Sequence, residues 1–124
     1  MSVKGFKDLT VYKKSFELAM KIFEVSKSFP KEERYSLTDQ IRRSSRSVST
    51  AIAEAYRKRI YPAHFVSKAT DADMENSETQ VWLDFAFACN YLDEQTKIDL
   101  ENQSSEVGSL LHHMINNPGK YGAN

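Results

Sequence analysis

Apolar residues recur at helical spacing along nearly the whole chain. Between Leu9 and Ser28, Tyr12, Phe16, Ala19 and Phe23 form one stripe, and Leu18, Ile22, Val25 and Phe29 form a second with the same spacing. At about 100° per residue the two stripes lie roughly 120° apart, so this helix carries apolar surface over close to half its circumference. A surface helix needs a stripe only somewhat wider than about 100°. One stripe can face the molecular core and the other a further helix or a second subunit. Lys13, Lys14, Glu17, Lys21 and Glu24 occupy the remaining side. Asp8 is the expected N-cap and Pro30 the stop.

Ser36 and Asp39 have the spacing of a capping box, so a second helix is expected from Leu37 to about Arg59. Its seam is Leu37, Ile41, Val48, Ile52 and Ala55. Ser47, Ala51 and Ala55 form a row of small residues, with Ser44, Ser45 and Ser49 beside it. Small side chains suit a close approach of two helix backbones; the alternative is an exposed polar patch. Pro62 opens a third helix, expected to reach Tyr91. One face carries Phe65, Ala69, Ala72, Asn76, Thr79, Leu83, Ala86 and Phe87, while Asp71, Asp73, Glu75 and Glu78 make the rest of its first half acidic. From Val81 to Leu92 it is apolar nearly all round, interrupted by Asp84 and Asn90. Trp82, Phe85 and Cys89 are therefore candidates for a subunit contact or for burial under the chain's own helix ends. Asp93 caps a fourth helix lined by Leu100, Gln103, Val107, Leu110, Leu111 and Met114, which Asn116-Asn117-Pro118-Gly119 ends. Long helices with short joints predict an all-α, antiparallel, up-down-up-down four-helix bundle in one domain spanning 1–124, with 1–7 and 117–124 as loose ends.

Composition agrees with that architecture. The chain has 124 residues, 40% of them hydrophobic, and only four Gly and three Pro, which disfavours a turn-rich β fold. A single cysteine, Cys89, excludes an internal disulfide and suits a reducing compartment. The first residues lack a continuous apolar stretch of the kind a secretion signal needs, and no run approaches the ~18–20 apolar residues of a membrane span. The expected location is the cytoplasm, with no membrane partner. The zero net charge hides an asymmetry: residues 1–68 carry 15 Lys/Arg against 7 Asp/Glu, and residues 69–124 carry 2 against 10. Opposite charge in the two halves points to complementary pairing within the chain or between copies, against which stands simple solvation of two faces.

Candidate chemistry is sparse. Arg42, Arg43 and Arg46, with Arg57, Lys58 and Arg59 at the helix end, are the cations that could meet phosphate. Serines rather than aromatics separate them, which leaves no base-stacking platform. The competing role is pairing with Glu75, Glu78, Glu54 or the fourth helix. Glu54, on the small-residue helix, is a candidate buried acid, but one carboxylate without a partner is a poor catalytic site. His112 and His113 point about 100° apart on a helix and cannot chelate together. His64 stands alone, and no His-x3-His, Cys-x2-Cys or Glu-x2-His pattern occurs, so no metal or cofactor site is expected. Cys89 is expected to be a buried structural thiol. No glycine-rich phosphate loop is present.

Three stretches carry a family resemblance: Phe6-Lys7-Asp8-Leu9 with Val11-Tyr12; Phe29-Pro30-Lys31-Glu32-Glu33, Leu37-x-x-Gln40-Ile41-Arg42-Arg43-Ser44-Ser45-x-Ser47-Val48 and Ile52-Ala53-Glu54; and Glu78-Thr79-Gln80 with Trp82-Leu83. The chain resembles the bacterial four-helix-bundle family named after rRNA intervening sequences, which is similar in turn to the accessory variability proteins of diversity-generating retroelements. The resemblance spans nearly the whole chain, and the second-helix block is its specific part. It implies a left-handed bundle assembling as a ring, typically a homopentamer, with no enzyme activity and no cofactor. The retroelement relatives bind nucleic acid and a reverse transcriptase through basic surfaces. Here Ala51 and Ala55 stand where the family often has Asn and Gly, and Ala72-Asp73 replaces a usual Gly-Ser; the added acid weakens a nucleic-acid role.

The leading expectation is thus a non-enzymatic assembly protein, with Leu18, Ile22, Val25, Trp82 and Phe85 as candidate oligomer contacts. The alternative is an RNA- or DNA-binding adaptor that uses the basic face of the second helix, or that meets another nucleic-acid-associated protein.

Overall fold

The computed structural model of the chain describes residues 3–124. Four helices account for most of it: α1 (Thr10–Ser26), α2 (Leu37–Arg57), α3 (Pro62–Ala88) and α4 (Glu94–Asn116). No strand occurs among the described residues. None of these helices is long and apolar enough to cross a membrane.

Side-chain pairings set the directions of the helices. Ser26 near the end of α1 meets Arg42 near the start of α2, and Ser15 meets Ser49 one level on. Between α2 and α3, Ser44 meets Thr79, and Glu54 meets Lys68. Between α3 and α4, Asp73 meets His112, and Asp84 meets Lys97. Lys14 on α1 closes the circuit with Glu106 on α4 at 2.8 Å. As one number rises the other falls in each pair, so adjacent helices are antiparallel in an up-down-up-down bundle.

The core is continuous from Leu9 to Ala123, and includes Ile22, Ile41, Ile52, Phe65, Leu83, Val107, Leu111 and Met114. α2 packs most extensively against α3. Ser44, Ser45, Ser49, Ala51 and Ala55 are all buried, so the small residues do serve close packing, and Ser47 at the edge is half-buried. A band of hydroxyls and amides crosses the middle of the bundle. Ser15 Oγ and Ser49 Oγ lie 2.8 Å apart, as do Ser44 Oγ and Thr79 Oγ1. Asn76 donates to the Ser104 carbonyl at 2.9 Å and accepts from its hydroxyl at 3.0 Å. No buried side-chain nitrogen or oxygen among the described residues lacks a partner, as stable burial of polar groups requires.

The helix ends differ from the sequence expectations in instructive ways. Leu9, with no side-chain cap, precedes α1, and Asp8 instead accepts from the Lys4 backbone N–H within a short 3-10 turn, Phe6–Asp8. The expected Ser36–Asp39 capping box does not form. Ser36 Oγ donates to Glu33 Oε1 at 2.6 Å, and the Leu37 N–H reaches the same oxygen at 3.4 Å, so an acid four residues back does the capping. α3 stops at Ala88 because Asn90 adopts a left-handed backbone, φ 63°. Tyr91 N–H then bonds the Ala86 carbonyl and Asn90 N–H that of Phe87, the Schellman arrangement that satisfies two terminal carbonyls. Asp93 caps α4 as expected, accepting from the Thr96 N–H at 2.7 Å.

The chain ends are held more firmly than expected. Met1 and Ser2, part of the expected loose N-terminus, lie outside the described residues. Phe6 packs edge-on to Tyr12, ring centres 5.2 Å apart. Beyond α4, Pro118–Tyr121 forms a 3-10 turn, Ala123 is buried, and Tyr121 stacks 6.1 Å from Phe65. Apolar burial, together with bonds from Arg59 and His113 to Tyr121, fastens a segment whose composition suggested a tail.

Candidate functional site

The basic residues of α2 and of the two positions after it fall into two groups with different surroundings. Arg43 forks onto Glu75 and Glu78 of α3, at 3.2 Å to the first. Its burial works against the charge, but the hydrogen bond to Glu78 and the attraction of both acids prevail and hold its pKa above the ordinary value. Arg42 turns the other way: its Nε donates to Ser26 Oγ at 2.8 Å and its guanidinium lies 4.8 Å from the Phe23 ring centre. Arg46 sits 5.6 Å from that ring, and Lys27 4.9 Å. Neither Arg42 nor Arg46 ion-pairs with any acid among the described residues. With Arg34 and Arg43 they line a solvent-open trough.

The second group lies eleven residues along, about 16 Å at the helical rise. Arg57 and Lys58 are exposed. Arg59 is not free: its guanidinium stacks 3.6 Å from the Tyr56 ring centre, and it donates to the Tyr56 carbonyl at 2.8 Å and the Tyr121 carbonyl at 3.5 Å. The six basic residues therefore do not make one continuous surface.

Two of the expected oligomer contacts are corrected. Leu18 and Ile22 are buried in the bundle core, since their stripe faces the other three helices. Val25 on the same stripe is half-buried against the α4 side, near Leu100. The other stripe is the surplus one. Phe16 and Met20 are 51% and 46% exposed and line an open groove of about 420 Å³ between α1 and α2, with Tyr12, Ala53 and Arg46.

A second apolar surface lies on α3. Met74, Val81 and Phe85 are 61%, 47% and 55% exposed. Their spacing puts them on one line, directly away from the buried Ala72, Asn76, Thr79 and Leu83. Trp82 is half-buried beside this line; its Nε1 donates to Glu78 at 3.2 Å and its ring lies 6.0 Å from that of Phe85. Sequence reading singled out Phe85 and Trp82 but missed Met74 and Val81. The signal was present as a seven-then-four spacing, masked by the nearly all-round apolar character of the segment. Cys89 is exposed rather than buried, at the residue that follows the last turn of α3.

Groups with catalytic potential are scattered. Glu54 is exposed and faces Lys68 at 3.7 Å, which corrects the expectation of a buried acid: its position on α2 lies at the solvent edge of the α3 contact. His112 Nε2 lies 3.3 Å from Asp73, and His113 Nδ1 2.7 Å from the Tyr121 hydroxyl, so the two rings do diverge. His64 stacks 5.5 Å from Tyr61. No group of three or more His, Cys, Asp or Glu with metal-binding geometry occurs among the described residues.

Residues 7–113 match the family model for the 23S rRNA-intervening sequence protein. Among solved structures the chain is similar to a protein of unknown function from the S23 ribosomal protein family of Bacteroides thetaiotaomicron. The two share 30% identity over 86% of this chain and 95% of that one, with a TM-score of 0.78. No curated protein matches. Neither description names an enzymatic activity. The chain belongs to the 23S rRNA-intervening sequence protein family.

Proposed function

We propose that this member of the 23S rRNA-intervening sequence protein family is a non-enzymatic scaffold that assembles with copies of itself into a closed ring. One observation carries the reading: the bundle closes its own core and still leaves two apolar surfaces exposed, at Phe16/Met20 and at Met74/Val81/Phe85. Exposed apolar groups that line up in this way mark contact sites. Two different surfaces suit a heterologous contact, which closes into a ring when the rotation between copies permits. Five subunits is the number the family resemblance implies. The exposed Cys89 suits a reducing, cytoplasmic setting. Light scattering on a size-exclusion column, at low and high salt, tests the reading. The expected mass is a multiple of 14.2 kDa; the single-chain mass under both conditions would overturn it.

A second reading, an RNA-binding adaptor, is favoured by the trough that holds Arg34, Arg42 and Arg46, none of them in an ion pair among the described residues, beside Asp39 and the ion-paired Arg43. Phosphate contacts there predict steep salt dependence, with Arg42→Ala plus Arg46→Ala flattening the slope by about two counterions' worth. Absence of any mobility shift with rRNA fragments or random RNA at low salt removes this reading.

A further inference from the structure

We infer that the α1/α2 groove of one copy receives the α3 ridge of the next, a directed contact between two unlike faces. The inference rests on the assembly reading above and specifies which surfaces meet. Shape is the first ground. Phe16 and Met20 wall a concave groove, whereas Met74, Val81 and Phe85 stand out from a single helix. A groove takes a ridge more closely than a second groove, as in other helix-in-groove contacts.

Charge is the second ground, and it is independent. The groove's one charged lining residue is Arg46, and Arg42 and Lys27 crowd the adjoining Phe23 ring. The ridge runs between two lines of acid, Asp71 and Glu78 toward α2, Asp73 and Asp84 toward α4. Each lysine or arginine that pairs with them, Lys68, Arg43 and Lys97, is shared between two carboxylates, so both flanks stay net acidic. Groove against groove would bring cations together, and ridge against ridge would bring acids together, each desolvating like charges. Only the mixed pairing joins apolar surface with opposite charge. The exposed Phe16 and Met20 of the groove stand on α1 and the ridge residues on α3, two helices that lie diagonally across the bundle, since α1 packs against α2 and α4. One copy can therefore use both faces at once.

Complementary variants test the pairing. Phe16→Asp spoils the groove and leaves the ridge; Phe85→Asp does the reverse. Each alone is expected to run at the single-chain mass, and an equimolar mixture at twice that mass, because one groove and one ridge remain intact between them. Circular dichroism checks that both variants fold. Thr50→Glu in the groove and Ser77→Lys on the ridge, both at exposed polar positions, set like charge against the opposing face without touching an aromatic ring; each alone should run at the single-chain mass and their mixture above it. If the natural chain assembles while both variants keep its mass, or only one of them loses it, the pairing is overturned and the assembly reading stands. A mixture that stays at the single-chain mass also overturns the pairing. If the natural chain itself has the single-chain mass, the assembly reading fails and takes this inference with it.

Discussion

The Tyr91 hydroxyl donates to Glu33 Oε2 at 2.9 Å, and this bond ties together the two loops at one end of the bundle. Glu33 lies between α1 and α2, Tyr91 between α3 and α4. The other oxygen of the same carboxylate accepts from Ser36 and from the first N–H of α2. One acid thus starts a helix and links both connections, while the Tyr91 ring packs 5.6 Å from Phe29.

That bond predicts an alkaline transition. The Glu33 carboxylate, first through the hydrogen bond and then aided by burial, raises the Tyr91 pKa to about 12. The folded value exceeds the unfolded one, near 10, so the contribution is complete below about pH 10 and is lost as pH rises toward about 12. Phenolate absorbance should show Tyr91 titrating late among the six tyrosines, and Glu33→Gln should bring that step to lower pH.

At the acid end, Asp93 is held below the ordinary carboxylate pKa, chiefly by the Thr96 backbone N–H. Its folded value is depressed, so its contribution is present above the unfolded value near 3.9 and is lost as pH falls through the lower folded value. Asp93→Ala should lower the melting temperature at pH 7, and Asp93→Asn, an equally good cap, should restore most of it. Thermal melts between pH 7 and pH 2 should show the gap between natural chain and Asp93→Ala closing only at the acid limit.

Asn76 is 2% exposed and bonds twice to Ser104, while Gln80 donates to the Ser104 hydroxyl at 2.8 Å. Asn76→Ala removes one partner of a buried network and should cost about 1–3 kcal/mol in urea unfolding at pH 7. Asn76→Asp should cost more, because a carboxylate there would face the Ser104 carbonyl in place of a donor.

Two glycines should respond in opposite directions. A Cβ on Gly108, inside α4, would touch Asn76 Nδ2 at 3.4 Å, an ordinary contact. Gly108→Ala should therefore stabilise by roughly 0.5–1 kcal/mol through helix propensity. Gly122 has φ 86°, and a Cβ there would lie 3.0 Å from Arg59 Nη1. Gly122→Ala should loosen the C-terminal turn, visible as faster proteolysis after Lys120 with little change in the main unfolding transition.

Much of the architecture was legible in residue spacing. The buried face of α3, from Phe65 to Ala86, appears in the sequence as a repeating small-apolar line, and the helix ran past its true end only because the left-handed turn at Asn90 is a backbone choice. Asp93 capped its helix as expected, whereas Ser36 did not, because its hydroxyl donates to Glu33, whose carboxylate also takes the Leu37 N–H. Of the interaction surfaces, Arg43 met the acids anticipated for it, and Phe85 faced solvent.

The sequence by itself determined four amphipathic helices, their order and a basic half set against an acidic one, because helical periodicity and charge are local properties of the chain. It left open which of the two stripes on α1 is core. Both have the same spacing, and only the positions of α2 and α4 bury Leu18 and Ile22 while leaving Phe16 and Met20 at a groove. Likewise six basic residues in one helix look alike in sequence. Tertiary packing separates them into an ion-paired Arg43, an Arg42 and an Arg46 stacked on Phe23, and an Arg59 locked beneath the C-terminal turn, because what a long cation does depends on which helix lies beside it.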